Sequence, residues 1–365
     1  MKYKHVQKKI FTKGIGTALM QLDQGNNCNE FELQNNILGL CLTQMHATKG
    51  IELLGDRAIV AIEKEYAQLD DLQVFEPIDA KKSSAEQKKN ALRTIDLIKL
   101  KRDKSVKGRT VADGSKQRKD LSKEDTSSPA VHFDSFLASL AIDSLEDRDV
   151  ATADVAGAYL KASMPDFVML RVTGGSVDAL LNVNNKKYQP YVVYEKNRKV
   201  LYLKLRKAMY GCLKAALLWY ELFSNTLKEE GFKLNPYEPC VANKMVKGKQ
   251  LTVVWYVDDL KVSHVSSEVV DETLEFLELK FGKMKIKRGR LHEYLGIDVE
   301  LKDRKVYLCM KEYLIEAIKD FGEAINCSAK TPATKSLMEI PDKEEKLGDE
   351  QRSRFHSIVQ KLLYV

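Results

Sequence analysis

Asp258 and Asp259 are adjacent, and adjacency alone means little, since 52 acidic residues in 365 give roughly seven such pairs by chance. Their surroundings set this pair apart. Val253-Val254-Trp255-Tyr256-Val257 precedes it and Leu260 and Val262 follow, so two carboxylates sit at the tip of a largely buried hairpin. Like charges held that close in apolar surroundings drive a carboxyl pKa upward unless cations neutralise them. Oxygen-only donors select a hard cation, and Mg²⁺ is usually held by one or two carboxylates together with substrate phosphates. A third carboxylate, Asp154, ends the alternating stretch Asp149 to Val155, 104 residues upstream of Asp258, which the pattern places beside the hairpin. Three aspartates on neighbouring strands can hold two metal ions for in-line phosphoryl displacement, chemistry shared by polymerases and metal-dependent nucleases. Asp70-Asp71 is the contrast: it ends an amphipathic helix and reads as a solvated terminus.

Holding three carboxylates in place takes strands and the helices that bury them. The pattern gives strands at Leu251 to Val257 and Leu260 to Val265, meeting at Asp258-Asp259. A helix from Lys214 to Glu230 is closed by Gly231. Another has Ser267 as N-cap, Glu268 and Asp271 in its first turn, apolar Val270, Leu274, Leu277 and Phe281, and Gly282 at its end. Strands at Tyr294 to Leu301 and Val306 to Met310 precede a helix from Lys311 to Phe321. Upstream, helical spacing recurs in Ile59, Ile62, Tyr66 and Leu69 and again in Phe133, Phe136, Leu137, Leu140, Ala141 and Leu145. Between these helices, Arg102-Asp103 and Asp113-Gly114 punctuate a pair of short strands. Thr173-Gly174-Gly175-Ser176 reads as a plain turn in a loop insert between the metal-bearing strands. The whole is an α+β arrangement with an antiparallel sheet packed on helices.

The net charge of +7 is unevenly distributed. Lys81 to Lys123 holds 15 Lys and Arg against 5 acids, and Lys280 to Arg290 holds six bases and no acid. Two such patches suit a polyanion bound by counterion release, the alternative being solvated faces. The six cysteines contain no CxxC pair and the six histidines no HExxH, so neither a disulfide framework nor a zinc site is indicated. No apolar run approaches the roughly 20 residues of a membrane-spanning helix. Met1 to Lys9 is followed by no apolar stretch of a secretory signal, which points to an intracellular protein.

At these residues the chain resembles a known family, the reverse transcriptases of copia-type long-terminal-repeat retrotransposons. Tyr256-Val257-Asp258-Asp259 is similar to the family's YVDD hairpin, and Asp154-Val155-Ala156-Gly157-Ala158-Tyr159-Leu160 to its D-V-x-x-A-[FY]-L stretch. Leu205 to Trp219 resembles L-K-K-S-L-Y-G-L-K-Q-A-P-R-A-W, and Lys107 to Gly114 resembles K-A-R-L-V-A-x-G. Ser128-Pro129-Ala130-Val131 resembles S-P-V-V, Tyr294-Leu295-Gly296-Ile297 resembles F-L-G-I, and Lys330-Thr331-Pro332 resembles the family's T-P. The likeness runs nearly continuously from about Lys49 to Val365. Departures are Ala216 and Leu217 in place of Pro and Arg, and Gly108 in place of Ala.

The resemblance implies a right-hand polymerase fold with fingers over residues 51–148, a palm over 149–300 and a truncated thumb-side or connection fragment over 301–365, after a loosely ordered lead-in, 1–50. It implies an RNA-directed DNA polymerase using RNA or DNA template with primer and dNTPs, with two Mg²⁺ ions replaceable by Mn²⁺. Asp154, Asp258 and Asp259 become catalytic, with the Val155 carbonyl as an added metal ligand. Lys107 and Arg109 would clamp the triphosphate, Tyr159 would be a steric gate against the ribose 2′-OH, and Tyr210 and Gly211 would lie at the nucleotide. Leu295 and Gly296 would lie at the primer. Integrase and RNase H regions of one polyprotein are the implied partners, and the cytoplasm, in particles with nuclear access, the implied location. An inactive nucleic-acid-binding remnant and a two-metal nuclease are the competing readings.

Overall fold

The computed structural model describes residues 44–101, 104–119, 121–122, 124–321 and 346–363. In chain order it begins with strand β1 (Met45–His46), helices α1 (Ala47–Leu54) and α2 (Asp56–Asp71), strand β2 (Phe75–Pro77), the short helix α3 (Ala85–Asn90), and the hairpin β3 (Leu92–Leu100) and β4 (Val106–Ala112). Helix α4 (Phe133–Leu145) and strand β5 (Asp149–Asp154) follow. Next come β6 (Met169–Thr173), α5 (Gly175–Tyr188), β7 (Val193–Glu195), β8 (Arg198–Leu205) and α6 (Ala215–Glu229). Strands β9 (Lys233–Leu234), β10 (Val241–Val246), β11 (Lys249–Tyr256) and β12 (Asp259–His264) lead to α7 (Ser267–Phe281). Then come β13 (Lys285–Arg288), β14 (Leu291–Tyr294), β15 (Ile297–Lys302), β16 (Lys305–Cys309), α8 (Lys311–Phe321) and α9 (Asp349–Leu363). The expected Lys330-Thr331-Pro332 segment lies outside the described residues. Residues 45–50, expected in a loose lead-in, already form β1 and the start of α1.

The contacts divide the chain into two compact units, the first running to Pro129 and resuming over Gly157–Thr226, the second Ala130–Ala156 and from Leu227 onward. In the first, β1, β3, β6, β8 and β2 form a sheet in that order, with β4 on β3 and β7 on β8. Its core strands are apolar on consecutive positions, Val200 to Leu203 being fully or nearly fully buried, as a sheet covered on both faces requires. Ala58, Ala61, Ile62, Tyr66 and Leu69 line the buried side of α2, while Ile59 faces outward. The backbone of β4 lies so close to α2 that a Cβ on Gly108 would stand 2.4 Å from the Ala61 carbonyl oxygen. That contact accounts for glycine where the resembling family carries alanine.

Two expectations fail in this unit. Thr173-Gly174-Gly175-Ser176 is a strand end and a helix start: Gly174, at φ 64°, is the N-cap of α5. The Ser176 hydroxyl donates to Asp96 at 2.6 Å, and the same buried carboxylate accepts from Thr110 Oγ1 at 2.8 Å and the Tyr66 hydroxyl at 3.1 Å. The supposed loop insert thus supplies β6, α5 and β8 to the core. Nor is Asp70 solvated, because Lys187 and Tyr188 at the end of α5 both donate to it, as does Asn184 at 3.3 Å. Asp71 is exposed, as expected.

The second unit is built on an antiparallel sheet in the order β13-β5-β12-β11-β10-β9. Leu251 to Trp255 and Leu260 to His264 are buried on consecutive positions, which marks β11 and β12 as central strands. Helix α7 packs on β12 and β5 through Val269, Val270, Thr273, Leu274, Leu277 and Phe281. Its N-cap is Ser266, one residue before the expected Ser267, and Gly282 at φ 82° ends it. A second sheet, β14-β15-β16, carries α4. The expected single strand Tyr294 to Leu301 is two strands, parted by a turn at Leu295-Gly296 where both φ values are positive, 51° and 72°. Helix α4 also turns differently from its apolar pattern: Phe133 and Leu145 are exposed, whereas Asp143 is buried and paired with the fully buried Lys261 of β12.

Candidate active site

The carboxylates meet at one end of the second unit's sheet. Tyr256 pairs with Asp259, so the hairpin turn is Val257-Asp258, one residue earlier than the expected Asp258-Asp259. Asp259 is the first residue of β12 and faces Asp154, the last residue of β5, in register. Cross-strand partners lie on the same sheet face with Cβ atoms about 5 Å apart. Asp258 occupies the turn itself, and its carbonyl accepts the Val155 N–H at 2.9 Å. That bond ties the turn to the end of β5, and it is the Val155 amide that makes it.

The turn is unusual for its residue. Val257 has φ 56°, while Asp258 is not in the left-handed region. A positive φ at the first of two turn residues is the type II′ arrangement, which normally takes glycine there. For a β-branched residue it is an outlier, and such backbones gather at functional sites. The sequence pattern assigns Val257 to the strand because a β-branched residue is a good strand former and a poor turn former.

The electrostatics follow from that geometry. Burial pushes the Asp259 carboxyl up, and the negative charges of Asp258, Asp154 and Glu293 push it further, to about 6. Among the described residues the charges acting on it are all carboxylates, a repulsion that a divalent cation would relieve. Among the described residues no group of three or more His, Cys, Asp or Glu side chains is placed to hold a metal ion, so Asp154, Asp258 and Asp259 are close neighbours rather than a formed metal-binding cluster. A few hard oxygen donors completed by substrate phosphates is the usual way Mg²⁺ is held, so the donor set fits that ion.

Behind the carboxylates the same sheet face carries a polar layer. Two residues inward, Thr152 of β5 pairs with Lys261 of β12. Gly289 O accepts from His292 Nε2 at 2.7 Å, which leaves Nδ1 to accept the Thr152 hydroxyl at 3.1 Å. Burial holds the His292 pKa below its ordinary value, so the ring stays neutral in that role. Lys261 is paired with Asp143, whose other oxygen lies 3.9 Å from Arg148 Nη1. A cleft of about 220 Å³ lies further along, lined by Ser139, Asp143, Arg148, Glu238, Asn243 and Thr252 among others, and includes none of the expected site residues.

Several neighbours of the carboxylates are not placed there by the sequence pattern. Lys285 of β13 sits in register with Asp154 on the side away from Asp259. Glu293 adds its charge at Asp259, and the Tyr294 hydroxyl donates to the Asp259 carbonyl at 3.2 Å. The Lys280 to Arg290 block is a basic patch in sequence, and its β13 segment is an edge of the carboxylate sheet. Arg288 in it is paired with Asp149 and, at 2.8 Å, with Asp271.

The remaining expected residues belong to the first unit or lie at a turn. Lys107 and Arg109 alternate with Gly108 along β4, so both point away from α2. The Arg109 guanidinium lies over the Tyr210 ring, 4.7 Å from its centroid, and that ring meets Tyr159 at 4.9 Å with a 57° tilt. Gly211, at φ 88°, lies so near Ala112 that a Cβ would stand 2.0 Å from its carbonyl oxygen, while the Ala112 N–H donates to Tyr210 O at 2.8 Å. That bond and the close packing of Gly211 hold the Tyr210-Gly211 segment to the end of β4, with Arg109, Tyr210 and Tyr159 in one cluster. Leu295 and Gly296 form the β14–β15 turn in the second unit.

Comparison with known proteins agrees with the motifs. The family described as reverse transcriptase (RNA-dependent DNA polymerase) matches residues 85–335. The chain is 26% identical over 213 residues to the retrovirus-related Pol polyprotein from transposon RE1 of Arabidopsis thaliana, covering 58% of this chain and 13% of that protein. It is 23% identical over 288 residues to the corresponding polyprotein from transposon TNT 1-94 of Nicotiana tabacum, covering 76% of this chain and 20% of that one. With the RE2 polyprotein of Arabidopsis thaliana it shares 25% identity over 213 residues, 58% of this chain and 13% of the relative. The chain therefore spans about an eighth to a fifth of the length of these relatives. Among the described residues no helix is long and apolar enough to cross a membrane.

Proposed function

Because the chain belongs to the reverse transcriptase (RNA-dependent DNA polymerase) family of copia-type transposon Pol polyproteins, we propose that it extends a primer on an RNA or DNA template with dNTPs. The observation that carries the reading is the cross-strand pair Asp154–Asp259 beside the strained Val257-Asp258 turn. In this reading Asp154 and Asp258 hold the metal ions, Asp259 supports them, the Val155 carbonyl adds a ligand, and the Val155 amide fixes the turn. Two Mg²⁺ ions bound there would supply activation of the primer 3′-hydroxyl and charge neutralisation at the leaving pyrophosphate. Lys107 brings a point charge and Arg109 a planar fork to the triphosphate, and stacking on Tyr210 limits the poses Arg109 can take. Tyr159, braced by Tyr210, fills the volume a ribose 2′-hydroxyl would need. Leu295 and Gly296 contact the primer.

The polymerase architecture belongs to the same proposal: fingers over 51–148, palm over 149–300 and a thumb-side fragment beyond. So does the company of RNase H and integrase regions, in cytoplasmic particles with access to the nucleus. Ala216 and Leu217, where the resembling segment has Pro and Arg, favour a second reading, a nucleic-acid-binding remnant without activity. Primer extension on poly(rA)·oligo(dT) with Mg²⁺ and dTTP separates the two. Metal-dependent extension is expected. Tight template–primer binding with no extension would establish the remnant.

A further inference from the structure

Tyr294 ends β14 directly against the aspartate turn. Its hydroxyl donates to the Asp259 carbonyl at 3.2 Å. Tyr256 and Asp259 are the pair that closes the Val257-Asp258 turn, so the hydroxyl holds the Asp259 foot of it. The side chain is 2% exposed, and its ring stacks on Phe136 of α4 with centroids 4.5 Å apart and planes 19° from parallel. The turn is thereby fastened to a buried aromatic pair, while the Val155 N–H fastens the Asp258 carbonyl separately.

This turn needs fastening. Val257 at φ 56° is in a conformation that persists only where its surroundings over-determine it. Asp154 opposite Asp259 adds a cross-strand like-charge repulsion that also acts to open the site. We propose that Tyr294 is a positioning residue whose hydroxyl holds the strained Val257-Asp258 turn in the form that presents Asp258 and Asp259 to divalent cations. The inference rests on the reading of this turn as a metal site. The segment that Tyr294 to Ile297 resembles has Phe at this position, so Tyr294→Phe removes the hydroxyl while keeping the ring and its stack.

The test is Mn²⁺ binding to the full, metal-free chain, followed by electron paramagnetic resonance. Wild type should bind Mn²⁺, and Asp258→Asn should abolish that binding. Tyr294→Phe should weaken it by about tenfold, the lower end of what loss of a ligand-orienting partner costs. Val257→Gly added to Tyr294→Phe should recover most of the loss, because glycine takes a positive φ without strain. Phe136→Leu, which keeps the hydroxyl and loosens the ring, should weaken binding by a smaller factor and provides a second variant should Tyr294→Phe not fold. A merely structural tyrosine would lower the melting temperature and leave Mn²⁺ affinity unchanged, and that result overturns the proposal. Weakening that Val257→Gly does not recover overturns it as well, since the hydroxyl would not then act through the turn. If wild type shows no Asp258-dependent Mn²⁺ binding, the metal-site reading itself fails and the inference falls with it.

Discussion

Two pairs of adjacent aspartates in this chain have opposite neighbourhoods. Asp70, at the end of α2, is only 10% exposed at its side chain and receives hydrogen bonds from Lys187, Tyr188 and Asn184. Burial alone would raise its pKa, yet those donors outweigh burial and hold the carboxyl below its ordinary value. At Asp259 burial works in the same upward direction, and there the neighbouring charges are Asp258, Asp154 and Glu293, which carry the pKa to about 6. A carboxylate that serves the fold finds its counter-charge within the chain. The arrangement at Asp259 calls for a counter-charge from outside.

The largest expected effect separates the two pairs by what each does. On the proposed reading Asp258→Asn should reduce primer extension by at least about a thousandfold, the scale of losing a catalytic group, with template–primer affinity nearly kept. Asp70→Asn should leave extension per folded molecule unchanged and lower stability instead, by about 1–3 kcal/mol, because Lys187 and Tyr188 lose a charged acceptor. The sign with pH follows from the depressed pKa. Asp70 adds stability above its unfolded value of about 3.9 and loses it as pH falls through the lower folded value, so wild type and Asp70→Asn should converge in acid. Urea titrations at several pH values, beside extension assays, test both halves. Loss of extension in a fully folded Asp70→Asn would break the contrast.

How legible this was in sequence depends on which residues obey local rules. Strands β5, β11 and β12 could be read because buried strands are consecutive apolar and β-branched runs. The turn lies one residue earlier than the pattern expects because Val257 disobeys turn chemistry, and that disobedience marks the site. Strand β13 is hard to read: Met284 and Ile286 alternate with lysines, but over a short, basic and largely exposed stretch, and its register with β5 defines it. Asp143 was hidden because helical spacing ranks apolar residues, whereas this helix buries a carboxylate against Lys261. A lysine inside the otherwise apolar run Leu260 to Val262 was the available clue. At Gly174, glycine as N-cap gave no Ser, Thr or Asp signal for the start of α5.

A smaller effect sharpens the contrast from the stability side. The Asp259 pKa is raised on folding, so its ionised form costs the folded state stability at neutral pH. Asp259→Asn in metal-free buffer should therefore raise stability, by of the order of 1 kcal/mol once screening at a half-exposed group is allowed for. Thermal melts in EDTA measure it. A fall in stability would mean that Asp259, like Asp70, has its counter-charge in the chain.

The smallest effect applies the same rule to cations. Lys287 and Arg288 are neighbours on β13, but Arg288 is paired with Asp149 and Asp271 while Lys287 is exposed. An arginine already held by two carboxylates has little charge to offer a phosphate, whereas an exposed lysine on the carboxylate sheet's edge displaces condensed counterions when a polyanion binds. Lys287→Ala should reduce the slope of log K against log salt by about 0.7 to 0.9 and leave the melting temperature in place. Arg288→Ala should lower the melting temperature, because Asp149 and Asp271 lose their partner, and leave the slope nearly unchanged. Template–primer binding by fluorescence anisotropy over a range of KCl concentrations, with melts of the same samples, decides it. If Arg288→Ala moves the slope as much as Lys287→Ala does, an internal partner does not exclude an external one. The division between charges that serve the fold and charges that serve a ligand would then fail for the bases even where it holds for the aspartates.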